Sequence, residues 1–369
     1  MFRLSNLLKA SIEDLPQRRL DGAIAIWNFT NRCNLSCLHC YSKAGLEAQD
    51  KLTTQKIFET IPQLKRAGIK FVIFSGGEPL TRKDIFDIAE KMREEGIFTY
   101  LSTNGLYIHK SNVKRIIDTF GYIGISIDGD EAIHDHFRGL AGSYQMSLRA
   151  IDMIHEAGGK VGIRFTITKE TRSALAHIFE LAESKGIDKI YISHLVYSGR
   201  GFDNLKMDLS HQERKEAVEY ILDKAFEYYE NGRNIDIVTG NMEMDAVMLY
   251  ERLQKQNPEA AARLLARLRK WGGNSAGRNL VNIDSEGNVK PDPFFPVTLG
   301  NIFEKPFDAI WQDEESELLQ RLRQHPRKIG GKCEGCEWID VCNGGSRPRA
   351  WAISGDLWAE DPSCYIFEI

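Results

Sequence analysis

Short apolar segments alternate with amphipathic ones along residues 23–195, and this alternation constrains the fold more than any other feature of the chain. The apolar, strand-like segments are Ala23–Phe29, Phe71–Ser75, Phe98–Thr103, Tyr122–Ile127, Val161–Thr168 and Lys189–Leu195. The segments with helical periodicity are Thr53–Ala67, Lys83–Glu95, Ile108–Thr119, Ser143–Ala157 and Ser173–Lys185. Strands that alternate with helices form a parallel sheet with helices outside it. The sequence therefore predicts an α/β fold, either a partial barrel or an open doubly wound sheet.

The pattern changes twice in the second half of the chain. Residues 205–274 are highly charged and helical in pattern, as in a connector or a lid, whereas residues 275–369 contain short strands and turns. We therefore predict four parts. They are a lead-in at 1–20, the α/β domain at 21–204, a helical connector at 205–274 and a small second domain at 275–369.

Composition bounds the class of protein. The chain has 369 residues, of which 42% are hydrophobic and 27% charged, as in ordinary globular proteins. A net charge of −4 argues against a nucleic-acid partner. The sequence contains no apolar run of about 20 residues, so we expect no membrane span. The N-terminus lacks the pattern of a signal peptide. Seven cysteines in two separate groups suit metal binding in a reducing cytoplasm better than disulfides.

The first cysteine group directly follows the first predicted strand. Cys33, Cys37 and Cys40 are spaced C-x3-C-x2-C, at the strand end where α/β folds place their chemistry. Thiolates are soft ligands that suit an iron–sulfur cluster or zinc. A four-iron cluster held by three thiolates keeps one iron open to bind a substrate or cofactor. The alternatives are a zinc loop and three unrelated core cysteines.

Small and polar residues end the next three strands. Gly76 and Gly77 let the backbone approach a ligand closely, and the Glu78 carboxylate can pair with an ammonium group. A tight turn with a helix-capping acid is the alternative. The polar residues that end the third and fourth strands are Ser102, Asn104, Ser126 and Asp128. They can bind hydroxyl groups or a carboxylate, or they can form Asx-turns.

The cysteine triad and the run Ser75-Gly76-Gly77-Glu78-Pro79 together resemble the radical S-adenosylmethionine (SAM) enzymes. This resemblance implies a six-stranded (β/α)6 partial TIM barrel and a 4Fe–4S cluster whose open iron chelates SAM. Reduction then yields a 5′-deoxyadenosyl radical. By the same resemblance Glu78 grips the SAM amino group, and the polar strand ends contact its ribose or carboxylate. Arg149, preferred over Arg164, is the candidate for the SAM carboxylate, and Tyr41 packs near the adenine unless it is a core residue.

The second cysteine group lies near the C-terminal end of the chain. Cys333, Cys336, Cys342 and Cys364 could hold zinc or a four-iron cluster, and their spacing alone does not separate the two. The spacing resembles the SPASM extension of radical SAM enzymes, which implies a second, auxiliary 4Fe–4S cluster. Ser346 and Asp292 stand where full SPASM domains have further cysteines. We therefore expect no third cluster, and we favour a turn residue over an oxygen ligand for Asp292.

Features along the whole chain resemble the radical SAM enzymes of heme d1 biosynthesis, the NirJ family. The matching segments are Met1–Ser5, His134–Gly139, Ser193–Gly201, Val238–Asn241, Trp271–Gly277 and Trp358–Cys364. The resemblance implies an iron tetrapyrrole substrate, 12,18-didecarboxysiroheme, whose propionate side chains are lost after hydrogen abstraction. It also implies an electron donor such as flavodoxin or ferredoxin. A similar family of the alternative heme pathway removes acetate groups instead and forms iron-coproporphyrin.

The substrate site is predicted at the end of the sixth strand. His194 could ligate the tetrapyrrole iron, Tyr197 could relay a proton and Arg200 could bind a carboxylate, which makes His194 and Tyr197 the catalytic candidates. A packed histidine, a core tyrosine and a surface arginine are the alternatives. Further candidates, each with a structural alternative, are Arg138, Arg347 and Arg349 for carboxylates and Trp271, Phe294 and Phe295 for the ring.

Two other functions remain open at this point. Many SPASM proteins modify peptides, but the roughly twenty residues before the first strand leave no room for a preceding recognition domain. A metal-stabilised scaffold or electron carrier would give no purpose to the motif Gly76–Pro79. We therefore predict an enzyme.

Overall fold

The computed structural model describes residues 1–16 and 22–366. Its strands are β1 (Phe2–Arg3), β2 (Ala23–Thr30), β3 (Ile69–Gly76), β4 (Phe98–Thr103), β5 (Ile123–Ser126), β6 (Val161–Ile167), β7 (Lys189–His194), β8 (Asp236–Gly240), β9 (Leu280–Ile283), β10 (Asn288–Lys290) and β11 (Gly300–Asn301). Its helices are α1 (Leu4–Ile12), α2 (Thr54–Arg66), α3 (Ile85–Glu94), α4 (Val113–Thr119), α5 (Glu131–Arg138), α6 (Ser143–Glu156), α7 (Leu175–Ser184), α8 (Arg200–Asp203), α9 (His211–Glu230), α10 (Met244–Gln256), α11 (Pro258–Trp271), α12 (Phe307–Trp311), α13 (Glu317–Arg323), α14 (Ile339–Cys342) and α15 (Arg347–Ser354).

One sheet runs through the described residues. Its eleven strands follow the order β1-β8-β7-β6-β5-β4-β3-β2-β9-β10-β11. Strands β2 to β9 are parallel to one another, whereas β1 and β10 pair antiparallel with β8 and β9. The six predicted strands are β2 to β7, so the α/β fold is confirmed. The six-stranded count is not, because β8 and β9 extend the parallel sheet at both sides. β8 lies in the segment 205–274, which was predicted as a helical connector.

The strictly sequential order of β2 to β8 determines where the helices lie. Right-handed crossovers between successive parallel neighbours place all connecting helices on the same face of the sheet. Burial along β6 follows this arrangement, since Ile163, Phe165 and Ile167 are almost fully buried whereas Arg164 and Thr166 are half-buried. The second face, which carries Arg164, is therefore open to a ligand, and we call it the open face.

The helices are held to the sheet by apolar stripes. In α2, Ile57, Ile61 and Leu64 recur at helical spacing and are fully buried, and the Thr53 side chain accepts a hydrogen bond from Lys56 N at 3.1 Å. Each such side chain contributes roughly 1.5–3 kcal/mol through burial. Among the described helices, none is both long enough and apolar enough to cross a bilayer.

Both edges of the sheet involve parts of the chain outside the predicted α/β domain. At one edge β1 pairs with β8, and Ser11 O at the end of α1 accepts a hydrogen bond from Arg263 Nε at 2.7 Å. Residues 17–20 of the predicted lead-in lie outside the described residues. At the other edge β9 pairs with β2, and Asn282 Nδ2 donates to Ile26 O at 2.7 Å. The second predicted domain thus begins as a continuation of the sheet.

Candidate metal centre and cofactor site

The first cysteine triad lies on one loop after β2. Cys33, Cys37 and Cys40 are free thiols, the first two buried and the third half-buried, and they pack in one cluster with Leu35 and Ala44. Burial raises the pKa of Cys33 to about 12, and the neighbouring Cys37 and Cys40 add to this shift. Metal binding to such a thiol releases its proton. The three sulfur atoms are therefore neighbours, as a shared iron–sulfur cluster requires.

Helix α5 supports one side of this loop. Leu38 N donates to Phe137 O at 3.0 Å, Ser36 N donates to Arg138 O at 3.3 Å, and His39 stacks on Phe137 with ring centroids 4.7 Å apart. Helix α5 was not predicted from the sequence, although Asp130 caps its start and Gly139 ends it with a left-handed backbone, φ 73°. Both are recognisable signals in sequence.

The side chain of Arg138 lies in the same place. Its Nη1 donates to Cys37 Sγ at 3.6 Å, and its Nη2 forms an ion pair with Asp128, which is fully buried. This guanidinium keeps the pKa of the Asp128 carboxyl below its usual value despite burial. The structure gives no support to the prediction that Arg138 binds a substrate carboxylate, because the guanidinium is already shared between a carboxylate and a thiol. Asp128 likewise holds Arg138 rather than facing SAM.

The segment after β7 supports the other side of the loop. Arg200 donates from its backbone N to Cys40 O at 2.9 Å, from Nε to Cys37 O at 2.7 Å and from Nη1 to Ala44 O at 3.1 Å. Gly199 has φ 56°, and a Cβ there would lie 2.4 Å from Tyr41 O. The sequence proposed Arg200 for a substrate carboxylate, but the structure places it on loop carbonyl groups.

The two glycines of the Gly-Gly-Glu-Pro run bring β3 against the cysteine loop. Gly77 N donates to Thr30 O and Glu78 N donates to Arg32 O, both at 2.8 Å. A Cβ on Gly76 would lie 2.3 Å from Thr30 O, and one on Gly77 would lie 2.1 Å from Arg32 O. Only glycine permits this approach, which places the backbone of residues 76 and 77 beside the cysteine loop.

Glu78 has a different environment from the predicted one. Its Oε1 accepts from Leu80 N at 3.1 Å and Thr103 Oγ1 at 2.8 Å, and its Oε2 accepts from Asn104 N at 2.8 Å. Burial raises its pKa to about 7, and these three donors oppose the shift. Because both oxygens already have protein donors, the structure gives Glu78 the role of positioning the ends of β3 and β4. A direct grip on the SAM ammonium group is not what these contacts indicate.

The remaining polar strand ends divide into two kinds. Asn104 Oδ1 accepts from Leu106 N at 2.9 Å, which is the Asx-turn alternative, and its Nδ2 donates to Asn34 Oδ1 in the cysteine loop at 2.9 Å. Ser102 and Ser126 are half-buried near the carboxyl ends of β4 and β5. They are therefore the strand-end residues that a ligand can reach.

The two arginines predicted for the SAM carboxylate also separate. Arg149 is exposed on α6, whereas Arg164 stands beside Ser126 in the register of β5 and β6. The Arg164 guanidinium lies over the Tyr191 ring, 4.7 Å from its centroid, and no salt bridge joins it to the described residues. Exposure on a helix removes Arg149 from the site, so the preference for Arg149 is corrected in favour of Arg164.

Tyr41 joins the cysteine loop to the second domain. Its hydroxyl donates to Asn28 Oδ1 at 3.0 Å and lies 3.1 Å from Ser75 Oγ. Its ring meets Phe294 edge-on, with centroids 5.1 Å apart, and burial raises its pKa to about 12. These contacts agree with the core alternative rather than with a place against the adenine.

The second cysteine group forms a compact set of its own. Cys333, Cys336, Cys342 and Cys364 are free, and Cys333 and Cys336 both add to the burial that raises the pKa of Cys364 to about 12. Gly344 N donates to Cys342 Sγ at 3.3 Å. Within residues 1–16 and 22–366, no group of three or more His, Cys, Asp or Glu side chains is arranged to hold a single metal ion. A set of four adjacent thiols suits a multi-iron cluster.

Asp292 and Ser346, which stand where full SPASM domains have cysteines, make structural contacts. Asp292 is buried and its Oδ1 accepts from Phe294 N at 2.8 Å, while Ser346 Oγ caps α15 by accepting from Arg349 N at 3.4 Å. Nearby, the buried Arg327 donates to the carbonyls of Leu322 at 2.9 Å and Ala276 at 3.1 Å. Asp292 thus forms a turn, as predicted.

The two predicted catalytic residues are engaged elsewhere. His194 is fully buried, its Nδ1 accepts from Arg214 Nη1 and its Nε2 donates to Asp245 Oδ2, both at 2.9 Å. With no free ring nitrogen, His194 cannot ligate iron in this arrangement. Tyr197 donates to Asp208 Oδ2 at 2.6 Å and lines a surface cavity of about 390 Å³. Burial and Asp208 raise its pKa to about 12, which does not favour proton relay at neutral pH.

The other substrate candidates are mostly structural. Arg347 donates to Leu357 O at 2.9 Å, and Arg349 pairs with Asp361 at 2.7 Å and donates to Leu195 O at 3.0 Å. Both are fully buried. Phe295 is also buried, whereas Trp271 is 37% exposed.

Comparisons with known proteins agree with this geometry. Residues 27–182 match the family model of the radical SAM superfamily, and residues 275–337 match the SPASM model, described as an iron–sulfur cluster-binding domain. The chain belongs to the radical SAM enzymes with a SPASM extension. It therefore uses a 4Fe–4S cluster with SAM and a further iron–sulfur cluster.

Two curated relatives are similar along almost the whole chain. The pre-heme d1 synthase of Dinoroseobacter shibae is 39% identical over 374 residues, covering 99% of this chain and 92% of that protein. The Fe-coproporphyrin III synthase of Methanosarcina barkeri is 38% identical over 368 residues, covering 98% of this chain and 90% of that protein. The crystal structure of Streptococcus suis SuiB bound to precursor peptide SuiA has the same fold. Its TM-score is 0.73 at 19% identity, and the match covers 93% of this chain and 75% of that one.

Proposed function

We propose that this chain modifies an iron tetrapyrrole, and that its substrate is 12,18-didecarboxysiroheme in heme d1 biosynthesis. Hydrogen abstraction from the propionate side chains would then lead to their loss. The observation that carries the proposal is the likeness to pre-heme d1 synthase, which extends over 99% of the chain. A match of this extent includes both cysteine groups and the residues between them.

A second candidate function rests on an observation of nearly equal weight. The Fe-coproporphyrin III synthase is 38% identical to this chain, only one percentage point below the first relative. That function would remove acetate groups and give iron-coproporphyrin. Identity alone does not separate the two reactions, so the product has to be measured.

The residues of this chain have separable tasks in either reaction. The cluster and SAM supply hydrogen-atom abstraction when bound and reduced. Ser126 and Arg164 offer a hydroxyl and a guanidinium to the SAM carboxylate, and guanidinium groups can bind carboxylates through two hydrogen bonds. The backbone of Gly76 and Gly77 offers a close approach, while Glu78 holds the ends of β3 and β4 in register. Electrons come from a donor such as flavodoxin or ferredoxin.

The experiment is anaerobic incubation with 12,18-didecarboxysiroheme, SAM and a reductant, followed by mass spectrometry of the tetrapyrrole. Loss of propionate groups supports the heme d1 assignment, and loss of acetate groups supports the second candidate. A reaction without SAM is the control. An unchanged tetrapyrrole, in a preparation that cleaves SAM, would contradict both.

A further inference from the structure

Arg138 is the one guanidinium in the described structure that donates a hydrogen bond to the sulfur atom of a predicted cluster ligand. Its Nη1 lies 3.6 Å from Cys37 Sγ, within hydrogen-bonding distance for sulfur. The side chain is 9% exposed, so water screens its charge little. Reduction potentials of iron–sulfur clusters depend on net charge, on hydrogen bonds to sulfur and on exposure to solvent. All three properties meet at this contact.

The second half of the arrangement is Asp128. It is fully buried, its Oδ1 accepts from Thr166 N at 2.9 Å, and its Oδ2 is paired with Arg138 Nη2. The backbone contact with β6 holds the carboxylate in place, and the carboxylate in turn directs the guanidinium toward Cys37. Arg138 Nε is buried and has no hydrogen-bond partner among the described residues. One donor of this cation is therefore still available beside the cysteine loop.

Loop support alone does not explain this placement. The backbone groups of Phe137 and Arg138 already bond the loop from α5, and Arg200 already binds the carbonyls of Cys37 and Ala44. The Arg138 side chain adds a contact with a ligand sulfur, which these interactions lack.

We propose that the Asp128–Arg138 pair sets the reduction potential of the N-terminal cluster through Cys37. Adding an electron makes the cluster more negative. A donor and a positive charge at a ligand sulfur stabilise that reduced state, and the Asp128 carboxylate behind them limits the effect. The pair is a positioning and tuning device that does not touch the substrate, so it is independent of which tetrapyrrole is modified.

The two members of the pair predict shifts of opposite sign. Arg138→Met removes the donor and the positive charge, so the cluster becomes harder to reduce. Asp128→Asn keeps a similar shape but removes the negative charge, so the cluster becomes easier to reduce. A merely structural role would not give opposite signs, because both substitutions would loosen the same contact.

The test is an EPR-monitored redox titration of the holoprotein, in which the N-terminal cluster is the signal that changes when SAM is added. For Arg138→Met we expect at least a tenfold fall in the ratio of reduced to oxidised cluster at a fixed potential, which is about 59 mV for one electron. Asp128→Asn should raise that ratio. Arg200→Met is the matched control, since it removes a guanidinium of the same charge that bonds loop carbonyl groups and no sulfur, so it should lower the ratio by less than threefold.

Iron and sulfide content, measured for each variant, shows whether the cluster assembles. If Arg138→Met binds no cluster, Arg138→Lys carries the test, because lysine keeps the charge but cannot span Asp128 and Cys37 together. A smaller fall in the same direction is then expected. An unchanged ratio in the assembled Arg138 variant, or shifts of the same sign for Arg138 and Asp128 variants, would overturn the proposal.

Discussion

His194 Nε2 donates a hydrogen bond to Asp245 Oδ2 at 2.9 Å, between two side chains that are both fully buried. The other oxygen of Asp245 accepts from Tyr365 at 2.9 Å, and Tyr365 directly follows Cys364. Because Arg214 can only donate, its contact with His194 Nδ1 requires that the proton of the imidazole lies on Nε2. The end of β7 is thus connected to the second cysteine group through one carboxylate.

His194→Ala is therefore expected to destabilise the protein rather than to remove its chemistry. Removing one partner from a buried hydrogen-bonded charge network costs about 3–5 kcal/mol. Denaturant unfolding measures this loss, and 5′-deoxyadenosine formed per assembled N-terminal cluster should stay near the wild-type value. His109→Ala is the control, since His109 is exposed and its loss should change the free energy of unfolding by at most about 0.5 kcal/mol. A stable His194→Ala protein that no longer cleaves SAM would restore the catalytic interpretation.

Arg164→Gln should weaken SAM binding. A charge-assisted hydrogen bond contributes about 1.5–3 kcal/mol, so the Kd for SAM should rise by roughly 10- to 150-fold. Arg149→Gln is a matched control of the same chemistry on the exposed side of α6, and its Kd should not change. Equilibrium binding of SAM to the anaerobic, cluster-loaded protein measures both. The assignment fails if the two variants bind SAM equally well, or if Arg149→Gln is the weaker one.

The local pattern of the chain predicted the fold better than it predicted side-chain partners. Strands β2 to β7 appear within a few residues of their predicted bounds, since each is a short apolar run between amphipathic helices. β8 was missed because Ile237 and Val238 are its only large apolar residues. The number of strands depends on pairing between distant segments, such as β9 with β2, and periodicity carries no information about that pairing.

The sequence predicted those parts of the candidate site that depend on backbone geometry. A Cβ on Gly76 would lie 2.3 Å from Thr30 O, and one on Gly77 would lie 2.1 Å from Arg32 O, so both positions require glycine. A glycine requirement of this kind can be recognised directly in the sequence. The contacts of arginine side chains could not be predicted in this way, because a long side chain reaches groups that only the folded chain brings near. Arg138 forms an ion pair with Asp128, and Arg349 forms one with Asp361. The sequence around each arginine does not indicate its partner.

Glu78 predicts a pH dependence of stability. Its pKa is about 7 in the folded protein, above the value of about 4.3 expected when unfolded. Between these values the folded state holds a proton that the unfolded state has lost, so this group's contribution to the free energy of unfolding is present below about pH 4.3 and falls as the pH rises through about 7. Glu78→Gln cannot titrate and should therefore show a smaller fall from pH 5 to pH 7.5. Denaturant unfolding at the two pH values compares them, and equal falls in both proteins would contradict the assignment.

The most direct measurement of the central claim is 5′-deoxyadenosine production by the reduced, cluster-loaded protein with SAM. The account predicts that the wild-type protein forms it, that Cys37→Ala forms none, and that Cys336→Ala keeps part of the uncoupled cleavage because it changes only the second cysteine group. Full cleavage by Cys37→Ala, or no cleavage by the wild-type protein with its iron and sulfide in place, would contradict an open iron held by Cys33, Cys37 and Cys40.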